Sequence, residues 1–484
     1  MSIFTTIRGL LMRMFPIKQT QRVFSIQMPD VADIPALQRL WSDMYAGHPD
    51  FAPDGKAYRN IPAEVCYDVA RLAVSEAQIT VGDSHAQDIV DTLIKPNLQV
   101  MVEKALAAGG CYVRPWADAS GMHIDIFRAE DVLPVAFNDG LVTGAVFIVR
   151  KTIHPSVDST VGYTKLEYQR LDPTTKDYLV SVKCFRRQGG CDAEDLGHEV
   201  PLDSVPEWSS ITPEWGVHGM SRPLFVYVRS PWQIKDSDNT AIRAAIFADA
   251  AGTIRLLTAR IQELCWEFES AKRRMVVDES ALPRDPNTGR TLELPGDKGL
   301  FLKMQGNTTA QGAVADMYAD FSPEIRIQPY HEEIKRLCAD ASVACHMDSG
   351  YLEYNERTGV VTAEQVKSED KNSYATVCNV QNLTALPAVR DMLTTIAEVA
   401  DISGMHLYDQ WQVIDSLSIV WGDGIMDDPD AERATAESEV QSGLRSKKSY
   451  LMEYRGLTEQ EAEAELQQIK SESSINVDSS FFGG

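Results

Sequence analysis

The chain has 484 residues, 44% of them hydrophobic and 24% charged, with a formal net charge of −24. That balance belongs to a folded protein with room for about two to four domains. The acidity argues against a tight duplex binder, which concentrates Lys and Arg against phosphate. It does not exclude a protein past which DNA slides without sticking, and plain acidic solubility explains it equally.

Residues 1–34 form an N-terminal amphipathic segment. Ile3, Ile7, Leu10, Leu11 and Met14 share one helical face, with Arg8, Arg13 and Lys18 elsewhere. Such a helix lies on a membrane surface or docks on its own protein or a partner. No small-residue cleavage site follows it, so it is no signal peptide. No stretch reaches the roughly 18 apolar residues of a spanning helix.

From Pro35 to Ala107 the periodicity is helical: Pro35–Tyr45, Ala63–Ser75, then a long element from His85 that Pro96 breaks or kinks and Gly109-Gly110 ends. The period then changes to two. Cys111–Trp116, Met122–Phe127, Leu141–Lys151, Gly162–Leu171 and Tyr178–Arg187 read as strands of one antiparallel meander lying on the helices, an α+β layout, with a hairpin at Asn138-Asp139-Gly140. Leu196–Val228, with Trp208, Trp215 and four prolines, reads as a packed loop closing this part near residue 235.

A helix is expected from Ala241 to Lys272, about 48 Å if Gly252 does not interrupt it. Ile254, Leu257, Ile261, Leu264 and Phe268 step along it as a heptad-like seam, or as the face of an ordinary core helix. Short strands follow at Met275–Asp278, Leu292–Leu294, Leu300–Met304 and Ile325–Gln328, with a turn at Asp285–Gly289. This segment is too small to fold without support.

Tyr330–His346 is a helix whose face is Ile334, Leu337, Cys338, Ala341 and Cys345. A loop, Asp348–Gly359, leads to the capping-box spacing of Thr362 and Gln365 and a helix reaching Val399, kinked near Leu383 by Pro387. Leu417–Trp421 is a strand, and Asp428-Pro429 starts helices that run to about Glu472, broken at Gly456. From Asp401 to Gly484 there are 17 acidic and 6 basic residues, and 471–484 read as a disordered tail.

Chemistry-bearing motifs are missing. There is no phosphate-binding glycine loop, no dinucleotide fingerprint and no nucleophile elbow. His331-Glu332-Glu333 lacks the second histidine of a zinc protease and the cysteine pair of a zinc deaminase. Asp427, Asp428 and Asp430 suit a divalent cation, but a capped helix start explains them as well. The eight cysteines, Cys66, Cys111, Cys184, Cys191, Cys265, Cys338, Cys345 and Cys378, have no ligand spacing and read as reduced, partly buried thiols of a cytoplasmic protein. No catalytic residue, cofactor or metal is expected.

Taken in order, these elements resemble the portal proteins of tailed double-stranded DNA phages, of the long-tailed siphovirus type. The likeness is sharpest at Ile246-Phe-Ala-Asp-Ala250, at Arg273-Arg-Met-Val-Val-Asp278, at Thr358-Gly-Val-Val-Thr-Ala-Glu-Gln-Val-Lys-Ser-Glu369, and at Asn97–Gly110 with Leu98, Leu106 and the double glycine. It spans nearly the whole chain; residues 1–34 have no counterpart. The resemblance implies a wing at 35–235, a stem helix at 236–272, a clip at 273–329, a second stem helix at 330–346, a tunnel loop at 347–361, a kinked wing helix at 362–402 and a crown at 403–470.

It further implies a non-enzymatic subunit of a dodecameric ring at one capsid vertex, through which DNA is packaged and ejected. Tyr351, Glu353, Tyr354, Asn355 and Arg357 would face DNA, touching phosphate without reading sequence. Arg273, Arg274, Lys298 and Lys303 would face partners, Pro387 would be a hinge, and the Ile254–Phe268 seam would pack between subunits. The implied partners are the terminase large subunit, a head–tail adaptor, the major capsid protein, scaffold, and double-stranded DNA bound non-specifically, with no membrane. The implied location is the virion, with the host cytoplasm during assembly. Two other readings compete: a carboxylate-dependent hydrolase, which needs two carboxylates of separated pKa, and a membrane-surface or scaffolding protein anchored by Ile3–Met14.

Overall fold

A computed structural model describes residues 15–26, 34–52, 55–156, 159–189, 196–235, 237, 240–271, 274–278, 301–304, 318–321, 326–353, 371–421, 438, 440, 446–455 and 462–467. The chain divides into two units, residues 1–422 and 423–484.

The first unit opens with α1 (Phe15–Phe24). Val23, Phe24 and Ile26 pack on Leu166, Tyr168 and Phe185, and the Phe24 and Tyr168 rings lie 5.2 Å apart. The amide of Leu196 donates to Gln19 Oε1 at 3.1 Å. This part of the amphipathic segment therefore docks on its own protein. Ile3 to Met14 lie outside the described residues.

A helical layer follows: α2 (Ile34–Tyr45), α3 (Ile61–Val74), the short strand β1 (Gln78–Thr80), α4 (Ser84–Ile89) and α5 (Lys95–Ala108). Asn60 caps α3 by accepting from the Ala63 amide at 3.2 Å. Between α4 and α5 the helix continues as a π-turn, Val90–Ile94. Pro96 is accommodated there, because the widened turn relieves the clash and the missing donor of a proline. The helix ends at Gly109, whose φ of +82° is the left-handed cap that its sequence foretold.

The expected single meander is two sheets. β2 (Gly110–Asp118) and β3 (Gly121–Arg128) pair with β10 (Val226–Arg229), in the order β10-β2-β3. The second sheet runs β4 (Val132–Asn138), β5 (Leu141–Ser156), β6 (Ser159–Leu171), β7 (Tyr178–Gln188) and β8 (His198–Val200), with β9 (Glu214–Val217) on β7. The break is a 3-10 turn, Ala129–Asp131, with Ala129 buried. The Asn138↔Leu141 hairpin turns through Asp139 (φ +49°) and Gly140 (φ +72°), the left-handed pair of a type I′ turn. Leu196–Val228, expected to be a loop, carries β8, β9 and β10, with Trp208 buried.

The expected long helix is shorter. α6 spans Ala251–Ser270, 20 residues, or about 30 Å. The preceding Ala241–Ala250 is non-helical, and Ile242, Ile246 and Phe247 are fully buried in it. Its backbone is taken by other elements: the Ile246 amide donates to Leu106 O and the Ala244 amide to Trp232 O, both at 2.9 Å. Tertiary hydrogen bonds and core burial outcompete the helix that the apolar spacing favours.

Next come β11 (Arg274–Asp278), β12 (Phe301–Met304) and β13 (Tyr318–Phe321). β11 is parallel to β12 and antiparallel to β13. The strand expected at Ile325–Gln328 is not formed, since Ile327 and Gln328 open α7 (Ile327–Ala344). The turn at 285–289 and the strand at 292–294 lie outside the described residues. α6 and α7 run antiparallel, tied by Arg326 to Glu267 (3.0 and 2.9 Å) and by Arg260 to Glu333 (2.8 Å).

α8 (Lys371–Val380) continues through a π-turn, Gln381–Ala385, into α9 (Leu386–Ile402), where Pro387 stands in the first turn. The unit closes with α10 (Gln410–Ser416) and β14 (Ser418–Val420), which pairs with β1. In the second unit α11 (Lys447–Arg455) is joined to helical residues 462–467 by Lys448 and Glu463 at 2.5 Å. Thr362, Gln365, Asp427 to Asp430, Gly456 and 471–484 lie outside the described residues. Among the described helices none is long and apolar enough to cross a membrane.

Candidate functional site

A heavily anchored irregular segment is the end of α7 and the turn after it, residues 345–353. The helix stops in a Schellman arrangement: the His346 amide donates to Val343 O and the Met347 amide to Ser342 O, both at 3.0 Å. His346 takes the left-handed position at φ +63° in place of the usual glycine. Its ring stacks on Trp232, 5.1 Å between centroids at 6°. Burial lowers its pKa, and Lys235 adds to this while Asp249 opposes it.

Three helices and Arg59 then hold the turn. From α8, the Ser373 amide donates to Asp348 Oδ2 at 2.9 Å, while the Asp348 amide donates to Ser373 Oγ at 3.1 Å. Thr376 Oγ1 donates to His346 O at 2.6 Å. From α7, the buried Ser342 hydroxyl accepts from the Leu352 amide at 3.1 Å. From α3, Tyr351 Oη donates to Asp68 Oδ2 at 3.0 Å. Arg59, just before α3, donates to Leu352 O at 2.8 Å while its fork holds Glu64. Residues 345–353 and the start of α8 are therefore held together as one fixed base.

The expected DNA-facing residues divide at this point. Tyr351 and Glu353 have partners within the chain. The Tyr351 hydroxyl is spent on Asp68, and burial with that carboxylate pushes its pKa far up. Glu353 pairs with Lys335 at 3.4 Å, its side chain 13% exposed. Tyr354, Asn355 and Arg357 lie outside the described residues. Sequence reasoning missed Arg59, Asp68 and Ser342, which come from turns and helix interiors where nothing in the pattern marks them.

The seam on α6 also divides. Ile254 and Leu257 are buried in the chain's own core and Ile261 packs against it, whereas Phe268 is exposed. The outward stripe is Leu256, Ala259 and Trp266, with Trp266 64% exposed. Leu264 is half-buried. Arg274 and Lys303 stand on β11 and β12; Arg273 and Lys298 lie outside the described residues.

The break expected near Leu383 is the π-turn before Pro387. It is pinned: Gln381 Nε2 donates to Ala73 O at 3.2 Å, and Thr384 Oγ1 donates to Arg229 O at 2.8 Å. The two long helices, α4–α5 and α8–α9, solve their prolines with the same device.

The described cysteines are free thiols. Burial pushes Cys111 and Cys345 up to about 12 and Cys66 well above its ordinary value. At pH 8 a thiol reagent is expected to label exposed Cys265 in the native protein, and Cys66, Cys111 and Cys345 only after unfolding. Peptide mass mapping checks this; Cys345 reacting as fast as Cys265 would mean that the core beneath the helix pair is open.

An α+β body and an antiparallel helix pair, with a small three-stranded sheet between the two helices in chain order, agree with the fold class expected above. The family described as phage portal protein, SPP1 Gp6-like, matches residues 73–477, and the chain belongs to it. No curated protein matches the chain. Among solved structures, a chain of the neck of a native gene transfer agent particle computed with C12 symmetry is similar at 10% identity and a TM-score of 0.37. It covers 88% of this chain and 94% of its own. A chain of the virion of a native gene transfer agent particle matches over the same shares at 11% identity and a TM-score of 0.36. Likenesses this distant carry no argument about function.

Proposed function

We propose that this chain is the portal subunit that forms a closed dodecameric ring at one capsid vertex of a tailed phage. Double-stranded DNA would pass through that ring during packaging and ejection. The supporting observation is the family match over residues 73–477. On this reading 35–235 with 362–402 is the wing, 236–272 and 330–346 the stem, 273–329 the clip and 403–470 the crown. The protein resides in the virion after assembly in the host cytoplasm. It acts as conduit and docking platform rather than as a catalyst. The terminase large subunit and the head–tail adaptor meet the clip, at Arg273, Arg274, Lys298 and Lys303, and the capsid protein and scaffold surround the ring.

Since Ile254 and Leu257 are used within the chain, contact with the neighbouring subunit falls to Leu256, Ala259 and Trp266, with Leu264 and Phe268 beside them. Native mass measurement with negative-stain imaging tests this. Wild type is expected as rings of about twelve subunits with a central hole. Trp266→Glu is expected to shift the population to monomers while its melting temperature stays within a few degrees, because a mostly exposed side chain contributes little inside one chain. Wild type that never closes rings, even with scaffold and capsid protein, would refute the ring.

Among the proposed DNA-facing residues Tyr351, Glu353, Tyr354, Asn355 and Arg357, the last three follow the clamped base. Replacing all three with Ala is expected to leave ring assembly intact and to lower the DNA packaged per particle several-fold. Packaging at the wild-type level would remove the role. Pro387, beside a turn pinned on two sides, is proposed as the hinge at which α9 tilts against α8.

A further inference from the structure

A cavity of about 1100 Å³ lies between β2–β3, β6–β7, the 206–215 segment and the last turn of α9. That is the scale of small-molecule sites, about 300–1,000 Å³, and the portal reading gives it no task. Its floor is polar. Lys165, Glu167 and Gln169 alternate along β6 and so share one face of the strand, where each is under 8% exposed. Arg114 reaches in from β2.

Every carboxylate of the floor already has partners. Glu167 accepts from Arg114 Nη1 and from Gln169 Nε2 (2.5 Å) and pairs with Lys165 at 3.5 Å. Asp125 accepts from Arg114 Nη2 at 2.6 Å. Gln169 Oε1 accepts from Tyr178 Oη at 2.5 Å, which in turn accepts from the Leu224 amide at 3.1 Å. At the rim, Asp118 is held by Ser120 and His123, and Glu207 by Lys151.

Donors remain as well. Among the described residues Arg114 Nε, buried, has no acceptor. Lys165 Nζ carries three N–H groups and pairs with one carboxylate. Trp208 lies 5.8 Å from that ammonium, and with Trp215, Val180 and Val182 it makes the walls apolar. A buried cation gains most from an acceptor that is itself charged.

We propose that this cavity binds a small organic carboxylate with an aromatic or branched apolar body. The carboxylate meets the Lys165 ammonium, and the body lies against Trp208 and Trp215.

Titration calorimetry on the assembled full-length protein at pH 7, with phenylacetate, phenylacetamide and phenethylamine as probes, tests the proposal. Phenylacetate is expected to bind saturably and at least about tenfold tighter than phenylacetamide, with no saturable binding of phenethylamine. Lys165→Met is expected to bring the first two within about threefold of each other. Ile211→Trp, which fills the cavity from the 206–215 segment and leaves the polar floor intact, is expected to abolish binding, and it does not depend on the Lys165 variant folding. Absence of saturable phenylacetate binding, equal affinity for the acid and the amide in wild type, or unchanged binding in Ile211→Trp each overturns the proposal.

Discussion

Gly109→Ala is expected to destabilise the first unit by about 4 kcal/mol or more, enough to leave much of the protein unfolded at 37 °C. Two costs combine. The residue sits at φ +82°, where an L side chain is strained. Its Cβ would also stand 1.9 Å from Arg243 O and 2.6 Å from Arg243 C, both backbone atoms. Relief would require moving the buried Ala241–Ala250 segment, whose amides are bound to Leu106 and Trp232. Gly252→Ala is the control: it lies in α6 with nothing within 4 Å of the added Cβ, and is expected to stabilise by up to about 1 kcal/mol. Calorimetric unfolding of both variants measures the difference. A Gly109→Ala loss below about 1 kcal/mol would mean that the 241–250 segment does not cross the helix end.

Glu167→Gln is the second large effect, a loss of about 3–5 kcal/mol. Burial raises the pKa of Glu167, but the Arg114 guanidinium and Lys165 more than offset it, and the net shift is downward. Removing its charge leaves Arg114 with Asp125 alone and Lys165 with no anionic partner. Lys165 moves against its partner: burial lowers its pKa in spite of Glu167, so its charged form is held at a cost. The net contribution of Glu167 has a definite pH window. Its folded pKa lies below the unshifted 4.5, so its stabilisation is fully present above 4.5 and is lost as pH falls below it. Wild type should lose stability in that acid range more steeply than Glu167→Gln. Asp50→Asn, which breaks an exposed pair with Arg255, is expected to cost about 1 kcal/mol or less. Urea unfolding at pH 7 and across the acid range checks all three. Equal losses for Glu167→Gln and Asp50→Asn would mean that the floor of the cavity is open to water.

Local physics made part of this legible in advance. The cap at Gly109, the turn at Asp139-Gly140 and the buried face Leu337, Cys338, Ala341 and Cys345 all rest on dihedral preference or on a period within one element. Both prolines were marked as breaks, although only the structure showed π-turns that carry the helix past them. The candidate site was half legible. That a chain excursion follows α7 can be read from its turn formers, but the direction of Tyr351 cannot. Its partner Asp68 is 283 residues away, and nothing in the loop itself distinguishes a tyrosine facing outward from one bound to α3.

What the sequence by itself determined is the α+β class, the order of the elements and the family, because these depend on composition, periodicity and a linear succession of motifs. Only the tertiary structure decided that Ala241–Ala250 is not helical, that β10 joins β2 and β3 in a separate sheet, and that Ile254 and Leu257 face the chain's own core. Each of these is a competition for the same backbone amides or the same buried surface between segments distant in the chain. The local pattern supplies only one competitor.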